Sequence, residues 1–236
     1  MYGGIICHAI VAAGGGGLRF GGDVPKQFAR LGDMPIVMHG LLTLASSSHV
    51  NGVVLVVPAK YCSHCKDMLR SFGLADVKVV SGGANRQESV YNGLTALPGG
   101  DGDSDGIIIV HDGARPFVTA QNIADVIEVA QNYGAAAMAV PVTDTVKQIN
   151  EAMLVEQTLC RDNICLVQTP QAFRREILLK AHEQARAEGI TSTDDCHLVE
   201  KMGVAPKIIL GCAKNIKITH SVDLAFAESL LKGGAL

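Results

Sequence analysis

The chain has 236 residues, of which 48% are hydrophobic and 18% charged, with a formal net charge of -3. This composition predicts a compact globular protein and excludes a disordered chain. The weak net charge and the 4% aromatic content disfavour nucleic acid as a partner. No apolar run reaches the roughly 18–20 residues that span a bilayer, and the apolar start lacks Lys and Arg. We therefore expect a cytoplasmic protein without a membrane partner.

Short β-branched runs alternate along the chain with amphipathic stretches. The predicted strands are residues 5–11, 53–57, 77–80, 107–110 and 136–140. The predicted helices between them are residues 39–46, 60–71, 86–97 and 120–131. Alternation of this kind predicts an α/β fold with a mostly parallel, twisted sheet and helices on both faces.

The pattern changes after residue 140. Residues 143–168 carry short alternating runs without a helical period, which predicts an extended β-arm. Helical patterns return at 174–187, 193–202 and 221–231, with a last strand at 207–210. We expect one domain over residues 1–236, with the arm as a subregion.

A glycine-rich loop directly follows the first predicted strand. It reads Ala12-Ala13-Gly14-Gly15-Gly16-Gly17-Leu18-Arg19, and Lys26 follows Pro25. Such a loop can wrap a phosphate closely with inward-pointing N–H groups. It does not fit the dinucleotide fingerprint, because Arg19 and Pro25-Lys26 follow where a helix should open, and it is not a P-loop, because no Gly-Lys-Ser/Thr follows. Arg19 and Lys26 could be solvated surface charges, but cations placed beside such a loop favour a triphosphate site.

Two further segments follow predicted strands. Asp112 comes after an apolar strand, where open α/β sheets bind ligands, and it could hold Mg²⁺ or another divalent cation against phosphates. The segment from Ser81 to Ser89 leads from a strand into a helix and carries two glycines. It suits nucleotide contacts, although a strand–helix turn with a capping Ser explains it equally well.

The remaining catalytic signatures are missing from the sequence. We find no G-x-S-x-G and no H-E-x-x-H pattern, and Cys62 and Cys65 have no second pair that would complete a zinc site. This absence fits phosphate-on-phosphate chemistry. A phosphate monoester has a second pKa of about 6 and is already a nucleophile at neutral pH.

Taken together, seven ordered motifs resemble those of the 2-C-methyl-D-erythritol 4-phosphate cytidylyltransferases of the non-mevalonate isoprenoid pathway. The motifs are Gly15-x-Gly17-x-Arg19 with Pro25-Lys26-Gln27-Phe28; Gly82-Gly83-x-x-Arg86-Gln87-x-Ser89-Val90; Val110-His111-Asp112-Gly113-Ala114-Arg115-Pro116; Pro141-Val142-x-Asp144-Thr145-Val146-Lys147; Gln168-Thr169-Pro170-Gln171-x-Phe173; Thr193-Asp194-Asp195; and Asn215-Ile216-Lys217-Ile218-Thr219. The resemblance covers nearly the whole chain. It implies a Rossmann-like nucleotidyltransferase that joins CTP to a polyol phosphate and releases pyrophosphate.

The resemblance also implies roles for individual residues. The catalytic cations are Arg19, Lys26 and Lys217. The CTP contacts are Ala13, Gly14, Gly15, Gly82, Ser89, Asp112 and Gly113, with Asp112 also near the metal. The contacts to methylerythritol phosphate are Arg115, Thr145, Arg161, Thr169 and Thr193. The family is a homodimer with a projecting β-arm, a role that residues 143–168 would fill here. Gly113 stands where Ala is common, and the register within residues 12–15 is open by one residue.

Three alternatives are weighed against this interpretation. Ribitol-5-phosphate cytidylyltransferase shares the fold, but Thr193-Asp194-Asp195 followed by Leu198-Val199-Glu200 favours methylerythritol phosphate. A non-catalytic nucleotide-binding protein would be expected to lose Lys26, Lys217 or Asp112, and all three are present. A fused bifunctional enzyme is not expected, because the chain ends about where the transferase core should end.

Overall fold

The computed structural model describes residues 5–15, 25–98 and 106–234. Within these ranges the strands are β1 (Cys7–Ala12), β2 (Arg30–Leu31), β3 (Met34–Pro35), β4 (Gly52–Val57), β5 (Lys78–Ser81), β6 (Ile107–Asp112), β7 (Ala135–Pro141), β8 (Lys147–Ile149), β9 (Val155–Thr158), β10 (Cys165–Arg174) and β11 (Lys207–Leu210). The helices are α1 (Ile36–Ala45), α2 (Cys62–Ser71), α3 (Arg86–Ala96), α4 (Ala120–Tyr133), α5 (Arg175–Glu188), α6 (Asp195–Lys201) and α7 (Ser221–Lys232). Short 3₁₀ helices lie at Lys26–Phe28, Ala59–Tyr61 and Arg161–Asn163.

The centre of the molecule is a seven-stranded sheet in the order β11-β7-β10-β6-β1-β4-β5. Strands β6, β1, β4 and β5 pair in parallel, and β11 pairs in parallel with β7. Strand β10 runs antiparallel to both of its neighbours, β6 and β7. The prediction of a mostly parallel α/β sheet is confirmed.

Both faces of this sheet are covered by helices, as predicted. On β1 the side chains of Ala9 and Val11 join the cluster built with α1, α2 and α4. Ile10 points to the opposite face and joins the cluster built with α3, α5 and α6. Because successive strand residues face opposite sides, a strand buried on both faces reads as a continuous apolar run. This burial explains why the run at residues 5–11 was recognisable as a strand.

Strand β10 corrects the sequence prediction. The prediction extended the arm to residue 168 and began a helix at 174, whereas residues 165–174 form a strand in the middle of the sheet. Its polar residues Gln168, Thr169 and Gln171 are buried, and its register is irregular between Val167 and Gln171. This strand was not recognisable from the sequence, because its polar side chains and its proline interrupt the apolar alternation that is typical of strands.

The predicted arm contains a two-stranded hairpin formed by β8 and β9. Every residue of both strands is exposed. The large apolar side chains exposed on residues 143–168 are Ile149, Met153, Leu154, Val155, Leu166 and Val167. A lone two-stranded hairpin is marginally stable in water, so these side chains mark a surface that another element could cover.

The last helix, α7, packs beside the small β2–β3 hairpin. Ala227 from α7 shares a buried cluster with Leu31, Ile36, Phe117 and Ile218. This packing fixes the segment that precedes α7, which carries Lys217, next to the sheet. None of the helices in the described ranges is long and apolar enough to cross a membrane.

Candidate active site

The site lies where several parallel strands end at one edge of the sheet. Ala12 at the end of β1 is aligned with Val56 on β4 and with Asp112 on β6. The residues beyond the strand ends stay attached: the Gly113 amide donates to the Ala12 carbonyl at 3.0 Å, and the Gly82 amide to Val57 at 2.8 Å. The three loops singled out in the sequence therefore meet at this edge, as the topology of open α/β sheets requires.

Two of these loops approach each other so closely that only glycine fits. A methyl group added at Gly14 would lie 2.6 Å from the Ser89 hydroxyl oxygen, and one added at Gly82 would lie 2.8 Å from it. Added at Gly82, it would also lie 3.3 Å from the Gly14 Cα. By contrast, an added methyl at Gly15 meets nothing within 4 Å. Glycine at residues 14 and 82 thus leaves room for the Ser89 side chain between the two loops.

Gln27 holds the start of the glycine loop in place. Its buried side-chain amide donates to the Ala13 carbonyl at 2.7 Å and to the Gly15 carbonyl at 2.9 Å. These two bonds turn the carbonyls toward Gln27. Lys26, the neighbouring residue in the same 3₁₀ helix, lines the cavity beside the loop. Arg19 lies outside the described residues, so its predicted role stays a prediction.

The loop that carries Gly82 ends at the N-terminus of α3, and this end of the helix lines the same cavity as Lys26. The helix cap is Asn85, whose side chain accepts from the Glu88 amide at 2.8 Å. The alternative explanation of this segment, a turn with a capping Ser, therefore does not hold, because the cap is an asparagine. The Ser89 hydroxyl instead accepts from the Gly83 amide at 3.2 Å and donates to the Asn85 carbonyl at 2.8 Å. Ser89 lines the cavity, yet its hydroxyl already has both a donor and an acceptor.

Asp112 is the electrostatic centre of the site. One carboxylate oxygen lies 3.0 Å from Arg86 Nε, and the other lies 2.7 Å from Lys217 Nζ and 3.7 Å from Arg115 Nε. Burial alone would raise the pKa of Asp112, but the charges of Arg86 and Lys217 outweigh it and hold the pKa well below its usual range. The carboxylate is ionised and surrounded by cations at neutral pH.

A chain of hydrogen bonds runs behind Asp112. The Asp112 amide donates to the Thr169 hydroxyl at 3.0 Å, which lies 3.1 Å from His111 Nδ1. His111 Nε2 lies 3.0 Å from the Arg115 carbonyl, and a carbonyl can only accept, so Nε2 carries the proton. Burial lowers the pKa of His111 to about 4, although the bond to the Arg115 carbonyl acts in the opposite direction. His111 is thus neutral and fixes Thr169 relative to Asp112.

Residues far apart in sequence are fastened to this centre through Asn215. The Arg115 guanidinium donates to the Asn215 carbonyl at 2.7 Å, and the Asn215 side chain donates to the Thr169 carbonyl at 2.8 Å. The Ile218 amide donates to the Ala114 carbonyl at 2.9 Å. These bonds bracket Lys217 and hold its backbone beside the Asp112 loop, while its side chain remains 41% exposed.

Two adjoining cavities open on this arrangement. The first has a volume of about 440 Å³, within the usual size of small-molecule sites, and the second about 290 Å³. The predicted residues that line the first are Ala13, Gly14, Gly15, Lys26, Ser89, Asp112, Thr193 and Lys217. The predicted residues that line the second are Asp112, Arg115, Thr169, Thr193 and Lys217. Asp112, Thr193 and Lys217 border both, as does Arg86.

Of the predicted residues that the structure describes, four line neither cavity. Gly82 and Gly113 pack against residues that do line the first cavity. A methyl group added at Gly113 would lie 2.9 Å from the Ala13 side chain. Thr145 and Arg161 lie on the arm, where Arg161 donates to the Thr143 carbonyl at 2.6 Å. A single chain does not bring these two arm residues to the cavities.

The structure adds residues that the site prediction missed. Those lining the first cavity are Ala12, Gln27, Gly83, Ala84, Asn85, Arg86, Ala114, Thr191 and Ser192. Those lining only the second are Val167, Gln168, Gln171 and Asp194. Arg86 belongs to one of the seven motifs and closely follows Gly82 and Gly83, so the sequence already indicated that it could lie at the site. Gln168 and Gln171 belong to the hidden strand β10.

Sheet order, strand-end glycine loops and a cation-ringed carboxylate define a nucleotidyltransferase of the Rossmann-like type. The model of the 2-C-methyl-D-erythritol 4-phosphate cytidylyltransferase family matches residues 7–233. The chain belongs to that family.

Two curated proteins of that name are similar over nearly their whole length. One from Desulforamulus reducens is 42% identical over 226 residues, covering 95% of this chain and 95% of its own. One from Pelotomaculum thermopropionicum is 45% identical over 226 residues, covering 95% of this chain and 93% of its own. The crystal structure of 4-diphosphocytidyl-2C-methyl-D-erythritol synthase from Anaerococcus prevotii has a TM-score of 0.85 and 29% identity. That alignment covers 97% of this chain and 96% of the other.

Proposed function

We propose that the protein transfers the cytidylyl group of CTP to 2-C-methyl-D-erythritol 4-phosphate and releases pyrophosphate. The observation that carries this proposal is the pair of adjoining cavities, which share Arg86, Asp112 and Lys217 along their common border. The larger cavity, beside the glycine loop and the α3 N-terminus, suits a nucleotide triphosphate. The smaller one, bordered by Arg115 and Lys217, suits the phosphate and hydroxyl groups of the second substrate. Family membership supplies the identity of both substrates.

The reaction follows from the charges at this border. An oxygen of the acceptor phosphate attacks the α-phosphorus of CTP, a new P–O bond forms, and the bond to the β-phosphate bridging oxygen breaks as pyrophosphate leaves. The acceptor is anionic at neutral pH and needs no general base. The requirement is charge neutralisation and alignment. We assign it to Lys26 and Lys217, which line the first cavity, and to Arg19, the further cation that the family resemblance implies.

The chemistry of the donor set supports a divalent cation that arrives with the triphosphate. In the part of the chain that the structure describes, no cluster of three or more His, Cys, Asp or Glu side chains could hold a metal by itself. Mg²⁺ commonly uses one or two carboxylates plus substrate phosphates, and Asp112 offers one such carboxylate. Of the two cations close to this carboxylate, the Lys217 side chain is more exposed than Arg86, so a metal ion would displace it more easily. When bound, Mg²⁺ would neutralise phosphate charge at this border.

We further propose that one domain spans the chain and that residues 143–164 form the arm of a cytoplasmic homodimer, since residues 165–168 of the predicted arm belong to β10. Thr145 and Arg161 lie on that arm, away from both cavities of their own chain. The arm also carries exposed apolar side chains that a second subunit would cover. A two-fold dimer would exchange identical arms, so that Arg161 and Thr145 enter the second cavity of the partner subunit.

The shared site is tested by mixing two inactive variants, Lys26→Ala and Arg161→Ala. After unfolding, equal mixing and refolding, random pairing makes about half of the dimers mixed, and each has one intact site. Pyrophosphate release should therefore return to roughly a quarter of the wild-type value. The control is mixing without unfolding, which should restore nothing if subunits do not exchange. If Arg161 serves its own chain, refolding the mixture restores no activity. A protein that is monomeric in solution would also contradict the shared site.

A further inference from the structure

A buried line of polar contacts leads from Asp112 away from the cavities. Arg86 bridges two carboxylates, with Nε 3.0 Å from Asp112 Oδ1 and Nη1 2.5 Å from Asp195 Oδ2. The other oxygen of Asp195 lies 3.0 Å from Nε2 of His182. Asp195 is 1% exposed and His182 is fully buried. The line thus joins β6, α3, α6 and α5.

The two carboxylates differ in how many partners they have. Asp112 is neighboured by Arg86, Lys217 and Arg115, whereas Asp195 contacts Arg86 and His182. Burial alone would raise the pKa of Asp195, but the charge of Arg86 and the hydrogen bond from His182 lower it. A buried carboxylate that loses one of two donors carries a large desolvation penalty, so its position depends on both.

The placement of Arg86 matters because this side chain borders both cavities. A guanidinium has five donors in a planar fork and readily grips one carboxylate or phosphate with two of them. Here the fork is divided between Asp112 and Asp195, which keeps a single donor on Asp112. If Asp195 were lost or displaced, Arg86 would be free to turn its fork onto Asp112 or onto a bound phosphate.

We infer that His182 and Asp195 are positioning residues for the transfer reaction. His182 orients Asp195, Asp195 holds Arg86, and Arg86 in turn fixes the carboxylate of Asp112 between the two cavities. His182 lines neither cavity, so it would act on the reaction indirectly, through its hydrogen bond to Asp195. The inference rests on the proposed function, because it assigns a role in that reaction.

A purely structural role for the same contacts would be to dock α6 on α5. His182→Leu removes the donor at similar size, while His182→Gln can return a side-chain N–H to Asp195. We expect His182→Leu to lower kcat on the order of tenfold or more, since a displacement of about 1 Å at reacting groups can cost about 100-fold. His182→Gln should recover most of that loss. The KM for CTP should change less than kcat, because an interaction felt mainly in the transition state has been weakened.

His39→Leu is the matched control. His39 is also buried in a helix, and its Nε2 lies 3.0 Å from the Leu31 carbonyl, but it lines neither cavity. This variant should lower the melting temperature and keep the kcat of the folded enzyme. All rates are measured well below each variant's melting temperature, so that loss of folded protein is not read as loss of turnover.

A double-mutant cycle tests the connection itself. If His182 acts through Asp195, combining His182→Leu with Asp195→Asn should lower kcat little further than the worse single variant does. The inference is wrong if His182→Leu keeps the wild-type kcat, if His182→Gln falls as low as His182→Leu, or if the two effects simply add. Should His182→Leu not fold, Asp195→Asn with wild-type kcat would equally overturn it. A wild-type protein that releases no pyrophosphate would instead refute the proposed function.

Discussion

Acidification should destabilise the folded protein through His111, whose buried ring is neutral. Its pKa is lowered from 6.5 to about 4 in the folded state, so between these values the unfolded chain binds the extra proton. Linkage then requires the free energy of unfolding to fall as the pH falls through this window. The stabilisation is fully present above the unfolded pKa of 6.5 and is lost as the pH approaches about 4.

The size of the effect follows from the two pKa values. An interval from 6.5 to about 4 corresponds to a loss of about 3 kcal/mol, at about 1.4 kcal/mol per pH unit. About 2 kcal/mol of this should be gone at about pH 5. Asp112 and Asp195 do not obscure this window. Their pKa values are lowered, so their stabilisation is lost only as the pH falls below the ordinary carboxyl value of 3.8. The pKa of His39 is lowered as well, which makes a variant comparison necessary.

The assay is urea unfolding followed by far-UV circular dichroism, since the chain has no Trp to report by fluorescence. His111→Gln removes the titrating group and can keep a donor toward the Arg115 carbonyl. Between about pH 7 and about pH 5 the wild type should lose about 2 kcal/mol more than this variant. Raising the salt concentration should leave the difference intact, because a buried group is poorly screened. Equal losses in both proteins would refute the assignment to His111.

Three further predictions concern the cavity. Lys26→Ala should lower kcat by the equivalent of about 3–4 kcal/mol with a smaller change in the KM for CTP, and near-normal turnover in steady-state kinetics would show that Lys26 is only a surface charge. Asp112→Asn should raise the Mg²⁺ concentration needed for half-maximal activity, whereas full wild-type activity in excess chelator would contradict any metal requirement. Gly14→Ala places a methyl group 2.6 Å from the Ser89 hydroxyl and should destabilise the fold by about 1–3 kcal/mol in thermal or urea unfolding. Gly15→Ala, with open space around it, should leave the stability unchanged; equal effects of the two would contradict the packing argument.

Much of the fold and part of the site followed from the sequence for one physical reason. The carboxyl ends of parallel strands meet at one edge, so the sequence alone indicates that Ala13, Gly14 and Asp112 lie near each other. Their strands were recognisable because burial on both faces leaves a continuous apolar run. Lys217 was found only through the family resemblance, since no local pattern connects it with Asp112.

Other features had no local signal. Strand β10 carries buried glutamines and a threonine whose partners lie on other elements, so its polar sequence resembled a loop. The contact between Arg86 and Asp195 joins residues 109 positions apart, and neither segment has a sequence pattern that predicts it. Thr145 and Arg161 line neither cavity of their own chain, so their predicted roles stay predictions.

The central claim is the identity of the acceptor, and one assay tests it directly. Pyrophosphate release from CTP is followed with 2-C-methyl-D-erythritol 4-phosphate and, side by side, with ribitol 5-phosphate. The account predicts a much higher kcat/KM with methylerythritol phosphate and formation of 4-diphosphocytidyl-2-C-methyl-D-erythritol. A higher kcat/KM with ribitol 5-phosphate would contradict the assigned acceptor, and no pyrophosphate with either compound would contradict the transferase activity itself.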